Sequence, residues 1–441
     1  MWFPKRTRTS RKAAAAAAAP SYSAEIIASN IDLLYEILLR LPAKSLIKFK
    51  SVSKHWLSLI SDTKFCRRHS SRRRLISDPA SGLFLNFSSR PEFEFVNLDK
   101  AHSSTDPSRG PFRSLAFDDD VSGIRIIQSC NGLLLCRPVL DYKSRINYVY
   151  NPTTKHYAKL PPSPTPRNIG ESTRTNYTVL GVSLAFDPSK SPHYKVVCVS
   201  DSCGVFRPTF NVEIYSSETG CWTLSSSSID KDMLPVRFDG GVFWNGSIHW
   251  LNNRDEYLLC FNVDEERLSS PIPLPPVPEG WVQGIGHRYF GESSGHLHFV
   301  CPIHKAGARS ASYLDVFEMG VDYSGWFLKF RVDLLALSVA IPIIIQGKFV
   351  QRSNFDKYVF SVLCVVRGEL DDGESYIVLK IRSRVIRYNF NTRTSSMLCY
   401  VESDRAPTPH LLNWPLLLHP EQFSDCFDGH VYQYIPSLCS V

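Results

Sequence analysis

The sequence predicts a mainly β chain with a small N-terminal α unit: three short helices followed by a degenerate β-propeller. Three observations lead there. Apolar residues recur at helical spacings of three and four over a short early stretch, as at Leu34, Ile37, Leu38 and Leu41. From Gly82 onward the chain breaks into short alternating runs bounded by Gly, Asn, Asp, Ser and Pro, the pattern of many strands and tight turns. Two turn patterns then recur, one of them at intervals of about 45 to 75 residues, close to but looser than kelch spacing. A chain of 441 residues also exceeds the size at which one hydrophobic core keeps growing, so a modular architecture is required.

The first 28 residues, with Lys5, Arg6, Arg8, Arg11 and Lys12, no acidic residue before Glu25 and seven consecutive alanines, can bury almost nothing and predict a disordered basic tail. Beyond a plain tail, its basic cluster reads first as a nuclear import signal and second as an organelle transit peptide. Residues 29–70 form the helical unit. Asn30 or Asp32 is available to cap a helix that carries Leu33, Leu34, Ile37 and Leu38, and Pro42 ends it. A second helix places Leu46 and Phe49 on one face, and a third places Val52, Trp56, Leu59 and Ile60 on one face. About forty residues approach the lower limit for independent stability, and these helices hold more apolar residues than they can hide from one another. A partner is expected to complete the core.

The string "IDLLYEILLRLPAKSLIKFKSVSKHWLSLISDTKF" resembles the F-box, the helical motif through which substrate receptors dock on the Skp-type adaptor of cullin–RING ubiquitin ligases. Asp32-Leu33-Leu34, Glu36-Ile37-Leu38, Leu41-Pro42, Lys44-Ser45-Leu46, Val52-Ser53-Lys54 and Trp56 fall in register with it. One departure is the Ser29-Asn30 pair, where members usually carry Leu-Pro before the first helix. The resemblance implies that Leu33, Leu34, Ile37, Leu38, Pro42, Leu46, Val52 and Trp56 bind the adaptor, with Lys44, Lys48, Lys50 and Lys54 steering the encounter with its acidic surface.

A basic linker is expected over residues 71–81, and a propeller of about six blades over 82–441, from roughly 360 residues at 50 to 60 per blade. One recurring pattern is a polar-Gly turn entering a strand, as in "NGLLLCR" (131–137), "NGSIHWL" (245–251), "SGHLHFV" (294–300) and "DGHVYQY" (428–434). The other is a strand running into a polar turn and a second strand, with markers at Asn151, Ser216, Asn262, Glu318 and Asn389. Each pairing looks like half of a four-stranded antiparallel blade. The runs 81–99 and 428–437 are the strands available to close the ring within one shared blade, since an open ring would expose sheet edges. Trp222, Trp244, Trp250, Trp281 and Trp326 suit the spaces between blades. "SCNGLLLCR", "VYNPTTKHYAKLP", "LAFDPSKSPHYKVV" and "VEIYSSETGCW", in this order, resemble the F-box-associated domain of plant F-box proteins, a substrate-recruiting module. A two-sheet sandwich is the structural alternative, because short, regularly spaced strands serve both folds.

Candidate chemistry is sparse. "GESSG" (291–295) has the Gly-x-Ser-x-Gly form, but "HLHFVC" follows where a nucleophile elbow needs a helix, so Ser293 reads as part of a hairpin turn. His296 and His298 would share a strand face while Cys301 points away, and with His304 they match no familiar zinc module. Asp118–Asp120 and Asp371-Asp372 lack the spacing of a calcium loop, and no phosphate-cradling Gly-rich motif occurs, so no cofactor or metal is expected. Asn86, Asn176 and Asn245 head glycosylation-like triplets that matter only in a secreted chain.

Charge is local: residues 1–74 hold 16 Lys/Arg and 4 Asp/Glu, so of the chain's 50 and 42 the rest holds 34 and 38, a net of −4. That speaks against nucleic acid, whose binding would need a basic surplus beyond the N-terminal end. The apolar run 334–345 is too short to span a bilayer and contains Pro342, so no membrane contact is expected. Twelve scattered cysteines without a Cys-x-x-Cys favour a reducing compartment, the nucleus, the cytoplasm or both. The expected role is therefore a non-catalytic substrate-recognition subunit of an SCF-type E3 ligase. It would bridge a Skp-type adaptor, and through it cullin and RING protein, to a protein target. A propeller hydrolase or carbohydrate-binding protein with an incidental helical leader is the alternative.

Overall fold

A computed structural model describes residues 30–75, 80–87, 92–98, 111–117, 123–139, 146–163, 177–202, 209–230, 236, 238–252, 256–284, 288–308, 311–345, 358, 360–368, 374–401 and 429–441. The tail expected over 1–28, the two acidic runs and Asn176 lie outside them. The chain divides into two compact units, Met1–Leu41 and Pro42–Val441.

The first unit contributes helix α1 (Ile31–Leu38), whose N-cap is Asn30: its side chain accepts from the Leu33 backbone N–H at 3.0 Å. A proline, lacking a side-chain acceptor, could not do this, so the departure from Leu-Pro supplies the helix with a cap of its own.

In the second unit come α2 (Ala43–Phe49), begun by Pro42, and α3 (Lys54–Ser61), capped by Ser53, whose hydroxyl accepts from Trp56 N at 3.1 Å. Phe49 and Trp56 meet edge to face, with ring centroids 5.6 Å apart. A fourth helix, α4 (Thr63–Leu75), then runs through the beginning of what reads in the sequence as a linker. Asp62 caps it, accepting from Phe65 N at 2.9 Å. Its apolar stripe is only Phe65 and Cys66, with His69 one turn on, all buried; the arginines around them hide the helical period. Cys66 Sγ lies 3.8 Å from the Leu438 carbonyl, and Lys44 Nζ sits 5.1 Å from the centre of the Tyr434 ring. Helices α2 and α4 thus touch the C-terminal segment, through Lys44 and Cys66.

The remainder is a six-bladed propeller. One blade combines β1 (Gly82–Phe87) and β2 (Phe93–Asn97) with β25 (Gly429–Tyr434) in the order β2-β1-β25. The other five follow in chain order. They are β3 (Ile124–Cys130) to β4 (Leu133–Pro138), β5 (Tyr148–Asn151) and β6 (His156–Lys159); then β7 (Tyr177–Ala185), β8 (Lys195–Ser202), β9 (Thr209–Ser216) and β10 (Cys221–Asp230). The third holds β11 (Val242–Trp244), β12 (Ser247–Asn252), β13 (Tyr257–Asn262), β14 (Arg267–Leu268) and β15 (Ile272–Pro273). The fourth holds β16 (Trp281–Gln283), β17 (Tyr289–Ser293), β18 (His296–Lys305), β19 (Tyr313–Met319) and β20 (Trp326–Asp333); the fifth β21 (Ser361–Val366), β22 (Tyr376–Ile381), β23 (Arg384–Asn389) and β24 (Ser395–Tyr400). Every pairing among them is antiparallel.

Closure uses the two ends, as the sequence predicts: β25 pairs with β1 in the register Gly82↔Tyr434 to Phe87↔Gly429. A sandwich would have one inter-sheet core. Here there is an apolar core between each pair of neighbouring blades, six in all, for example Trp250 and Phe261 of the third blade with Val197 and Phe210 of the second. Tryptophans also tie blades together: Trp250 Nε1 donates to Ser183 Oγ of the second blade at 3.3 Å and Trp244 Nε1 to Gly295 O of the fourth at 2.6 Å.

Candidate functional site

In three blades the polar-Gly turn seen in the sequence joins two neighbouring strands, whereas in the run 428–434 Gly429 opens β25 and Asp428 lies outside the described residues. Asn131-Gly132, Asn245-Gly246 and Ser294-Gly295 each have positive φ at both residues, the requirement of a type I′ hairpin that follows the strand twist. Ser293 therefore ends a strand at such a turn, with no helix behind it. The third-to-fourth strand turns are headed by the sequence markers. Asn151 Oδ1 accepts from Thr153 N and Thr154 N, Asn262 Oδ1 from Asp264 N and Glu265 N, Asn389 Oδ1 from Asn391 N and Thr392 N, and Ser216 Oγ from Glu218 N. Glu318 is the exception. It lies inside β19, and the turn of that blade is capped by Asp322, which accepts from Ser324 N at 3.0 Å.

Both kinds of turn lie at one end of the blades. The C-terminal segment crosses that end: Asn151 Nδ2 donates to Ser437 O and Cys439 O at 3.1 and 2.7 Å, and Ser437 N donates to Thr153 Oγ1 at 3.0 Å. Gly132, at φ 95°, leaves the room: a Cβ there would meet Ser437 Cβ at 2.5 Å and Ile435 O at 2.8 Å. Helix α4 rests on this same segment through Cys66. Burial pushes the Cys66 thiol up to about 12, with neighbouring Cys439 adding to it, so it acts as a small apolar side chain. By strand alternation the second-to-third strand connections fall at the other end of the blades.

The eight residues that the F-box resemblance implicates divide by exposure. Leu33, Ile37, Pro42 and Val52 are exposed, Val52 to 59%, and Trp56 is half-buried. Leu34, Leu38 and Leu46 are buried, the last two to 0% exposure. The first set can touch a partner. The second set is closed to one. Ile31 and Leu57 are exposed too, at 56% and 47%, and were not singled out by residue pattern, since exposure depends on which helix face finds cover.

The histidines of β18 have a different use from metal binding. His296 Nδ1 lies 2.9 Å and His298 Nε2 3.6 Å from the Glu318 carboxylate, which Arg367 Nε also approaches at 3.2 Å. Burial of Glu318 opposes ionisation, but its histidine neighbours outweigh that and hold the carboxyl well below the usual range. Burial lowers the His298 pKa. Cys301 points into the core between the third and fourth blades, and burial pushes its thiol up to about 12.

Two family models match successive parts of the chain. A model described as the F-box domain matches residues 30–68, and one described as the F-box associated beta propeller domain matches residues 90–280. F-box protein At5g07610 of Arabidopsis thaliana is 32% identical over 96% of this chain and 94% of its own. F-box protein At5g49610 is 29% identical over 61% of this chain and 70% of its own, and F-box/kelch-repeat protein At3g17530 is 27% identical over 55% and 60%, both also from Arabidopsis thaliana.

Proposed function

The chain belongs to the F-box proteins that carry an F-box-associated β-propeller domain, and we propose that it is the substrate-recognition subunit of an SCF-type E3 ubiquitin ligase. In this reading the helices of residues 30–61 dock on a Skp-type adaptor, which links the chain to cullin and RING protein, and the propeller grips a protein target. The observation that carries it is the exposure of apolar side chains in both parts of the F-box match, Ile31, Leu33 and Ile37 in the first unit and Val52 and Leu57 in the second. Such side chains gain by burial against a partner roughly 25 cal/mol per Å² of apolar surface.

The mechanism is proximity. Holding a target lysine beside the charged ubiquitin-carrying enzyme makes transfer nearly intramolecular, and the chain itself makes or breaks no bond. The target is taken at the blade ends opposite the C-terminal segment. The ten described cysteines are all free and nine are buried, which supports a reducing compartment, nucleus or cytoplasm.

Affinity capture of the full chain tests the reading. Adaptor and cullin should be recovered with the parent and lost with the triple variant Leu33→Asp, Ile37→Asp, Val52→Asp. Equal recovery with both would sink the docking assignment.

A further inference from the structure

We propose that Arg125 and Arg137, side by side on the first blade, form a binding site for an anionic oxygen group, a phosphate monoester or carboxylate, on a side chain of the protein target. The proposal rests on the target-recruiting reading above and adds the chemistry of one contact.

The two arginines are direct cross-strand partners in the β3–β4 register, between the pairs Ile124↔Pro138 and Ile126↔Cys136. Directly opposed residues of an antiparallel pair have Cβ atoms about 5 Å apart, and like charges placed so repel. The usual remedy is a carboxylate, and three other arginines of the propeller have one. Arg331 makes a two-pronged pair with Asp315 at 2.7 and 2.8 Å, Arg288 reaches Glu256 at 3.1 Å, and Arg367 reaches Glu318 at 3.2 Å. Among the described residues neither Arg125 nor Arg137 has an acidic partner.

Their surroundings are prepared for a ligand with negative oxygens. Arg137 Nε donates to the side-chain oxygen of Asn147, a buried neutral residue, at 3.3 Å, so its guanidinium is oriented without being neutralised. Arg125 Nε is buried and lacks a hydrogen-bond partner. Burial, and then the charge of Arg125, lower the Arg137 pKa, the direction expected of a cation that is desolvated beside a like charge. An anion between the two would remove the repulsion and accept from both planar donor forks, the geometry at which guanidinium groups bind phosphate and carboxylate best.

The position agrees independently. Arg125 is the second residue of β3 and Arg137 the penultimate residue of β4, so both stand at the blade end opposite the C-terminal segment and α4. That is the end assigned above to the target.

The test uses the full-length chain with inorganic phosphate, O-phosphoserine and acetate as probes. Arginine modification by phenylglyoxal is followed residue by residue by mass spectrometry, with exposed Arg384 as internal control. Phosphate and O-phosphoserine should slow modification of Arg125 and Arg137 by roughly fivefold at concentrations that leave Arg384 unchanged. Stronger protection by acetate than by phosphate would make the ligand a carboxylate side chain, and the reverse a phosphorylated one. R125Q and R137Q should keep or raise the parent's melting temperature, because each removes a like charge, and should lose the melting-temperature rise that phosphate causes in the parent. No protection by any probe overturns the proposal, as does an undiminished phosphate effect in the R125Q/R137Q double variant. The run Asp118–Asp120 immediately precedes β3 in sequence and is the competing occupant. Protection that appears only in the D118N/D119N/D120N variant would assign the pair to that run and overturn the proposal as well. None of these readouts involves the adaptor, so failure of adaptor capture and failure of this site are separate results.

Discussion

The helical region and the propeller treat apolar side chains in opposite ways. In the propeller each blade covers its neighbours, and large residues such as Trp250, Phe261 and Phe299 are almost wholly buried between sheets. In the helices of residues 30–61, Ile31, Leu33, Ile37, Val52 and Leu57 stay in solvent beside fully buried Leu38, Leu46 and Ile60. The propeller is complete as a ring, whereas the helices keep apolar side chains uncovered. Identical residue types thus serve stability in one region and association in the other, and burial, not residue type, tells which.

The sharpest way to break the contrast is to open the ring. Deleting residues 429–441 removes the strand that pairs with β1 and the segment under α4, and should unfold the propeller cooperatively, a loss of the order of its whole stability, about 5–15 kcal/mol. Hydrogen exchange and thermal unfolding would check it; an unchanged midpoint would refute closure by β25. Next, the leucines of α1 should separate. Leu38→Ala should destabilise the chain by about 2–4 kcal/mol in denaturant titrations. Leu33→Ala should change stability by less than about 0.5 kcal/mol yet weaken adaptor binding roughly tenfold or more. If Leu33→Ala binds as well as the parent, exposure is no guide to the docking face.

Within the propeller, pH offers a finer test. Burial lowers the pKa of His249 to about 4, while its Nδ1 lies 3.3 Å from Val242 O and its Nε2 3.1 Å from the Tyr323 hydroxyl. An unfolded histidine titrates near 6.5, so between pH 4 and 6.5 the native chain binds fewer protons than the unfolded one. The stability is whole above pH 6.5 and falls as pH drops toward 4, by about 3 kcal/mol from this residue. His249→Gln should flatten that slope; a parallel pH profile would assign it elsewhere. Gly132→Ala, forced against Ile435 and Ser437 at positive φ, should cost about 1–3 kcal/mol and raise exchange in α4, since the segment it displaces carries Cys66. The smallest effect belongs to charge. Lys48→Gln with Lys54→Gln should slow adaptor association a few-fold at low salt and leave it nearly unchanged at high salt, as expected of exposed steering charges. An effect that persists at high salt would make these lysines anchors.

Much of this architecture was legible in order of residues alone. Asn-Gly and Asn-Pro-Thr-Thr patterns mark hairpins because their requirements are local: positive φ at two successive positions, or a side-chain oxygen that accepts from the backbone two and three residues on. The F-box string was legible for the same reason of local register, and so was the pairing of the terminal strands, since a ring must close. Helix α4 was not. Its stripe of Phe65, Cys66 and His69 is too narrow to stand out of an arginine run, and the segment that covers it comes from the other end of the chain. Glu318 misled as a turn marker because its residue type suits a turn, while the histidines and arginine that hold it within a strand are distant in sequence.

Sequence by itself determined the kind of protein this is, a helical docking motif ahead of a closed ring of blades, because those features follow from spacing, turn chemistry and edge pairing that neighbouring residues settle among themselves. Only the tertiary structure decided which apolar anchors face outward, which carboxylates satisfy which cations, and which arginines are left facing each other. Those outcomes depend on contacts between residues far apart along the chain, such as Cys66 with Leu438 or Glu318 with Arg367, where burial and charge are summed over neighbours that no local pattern names.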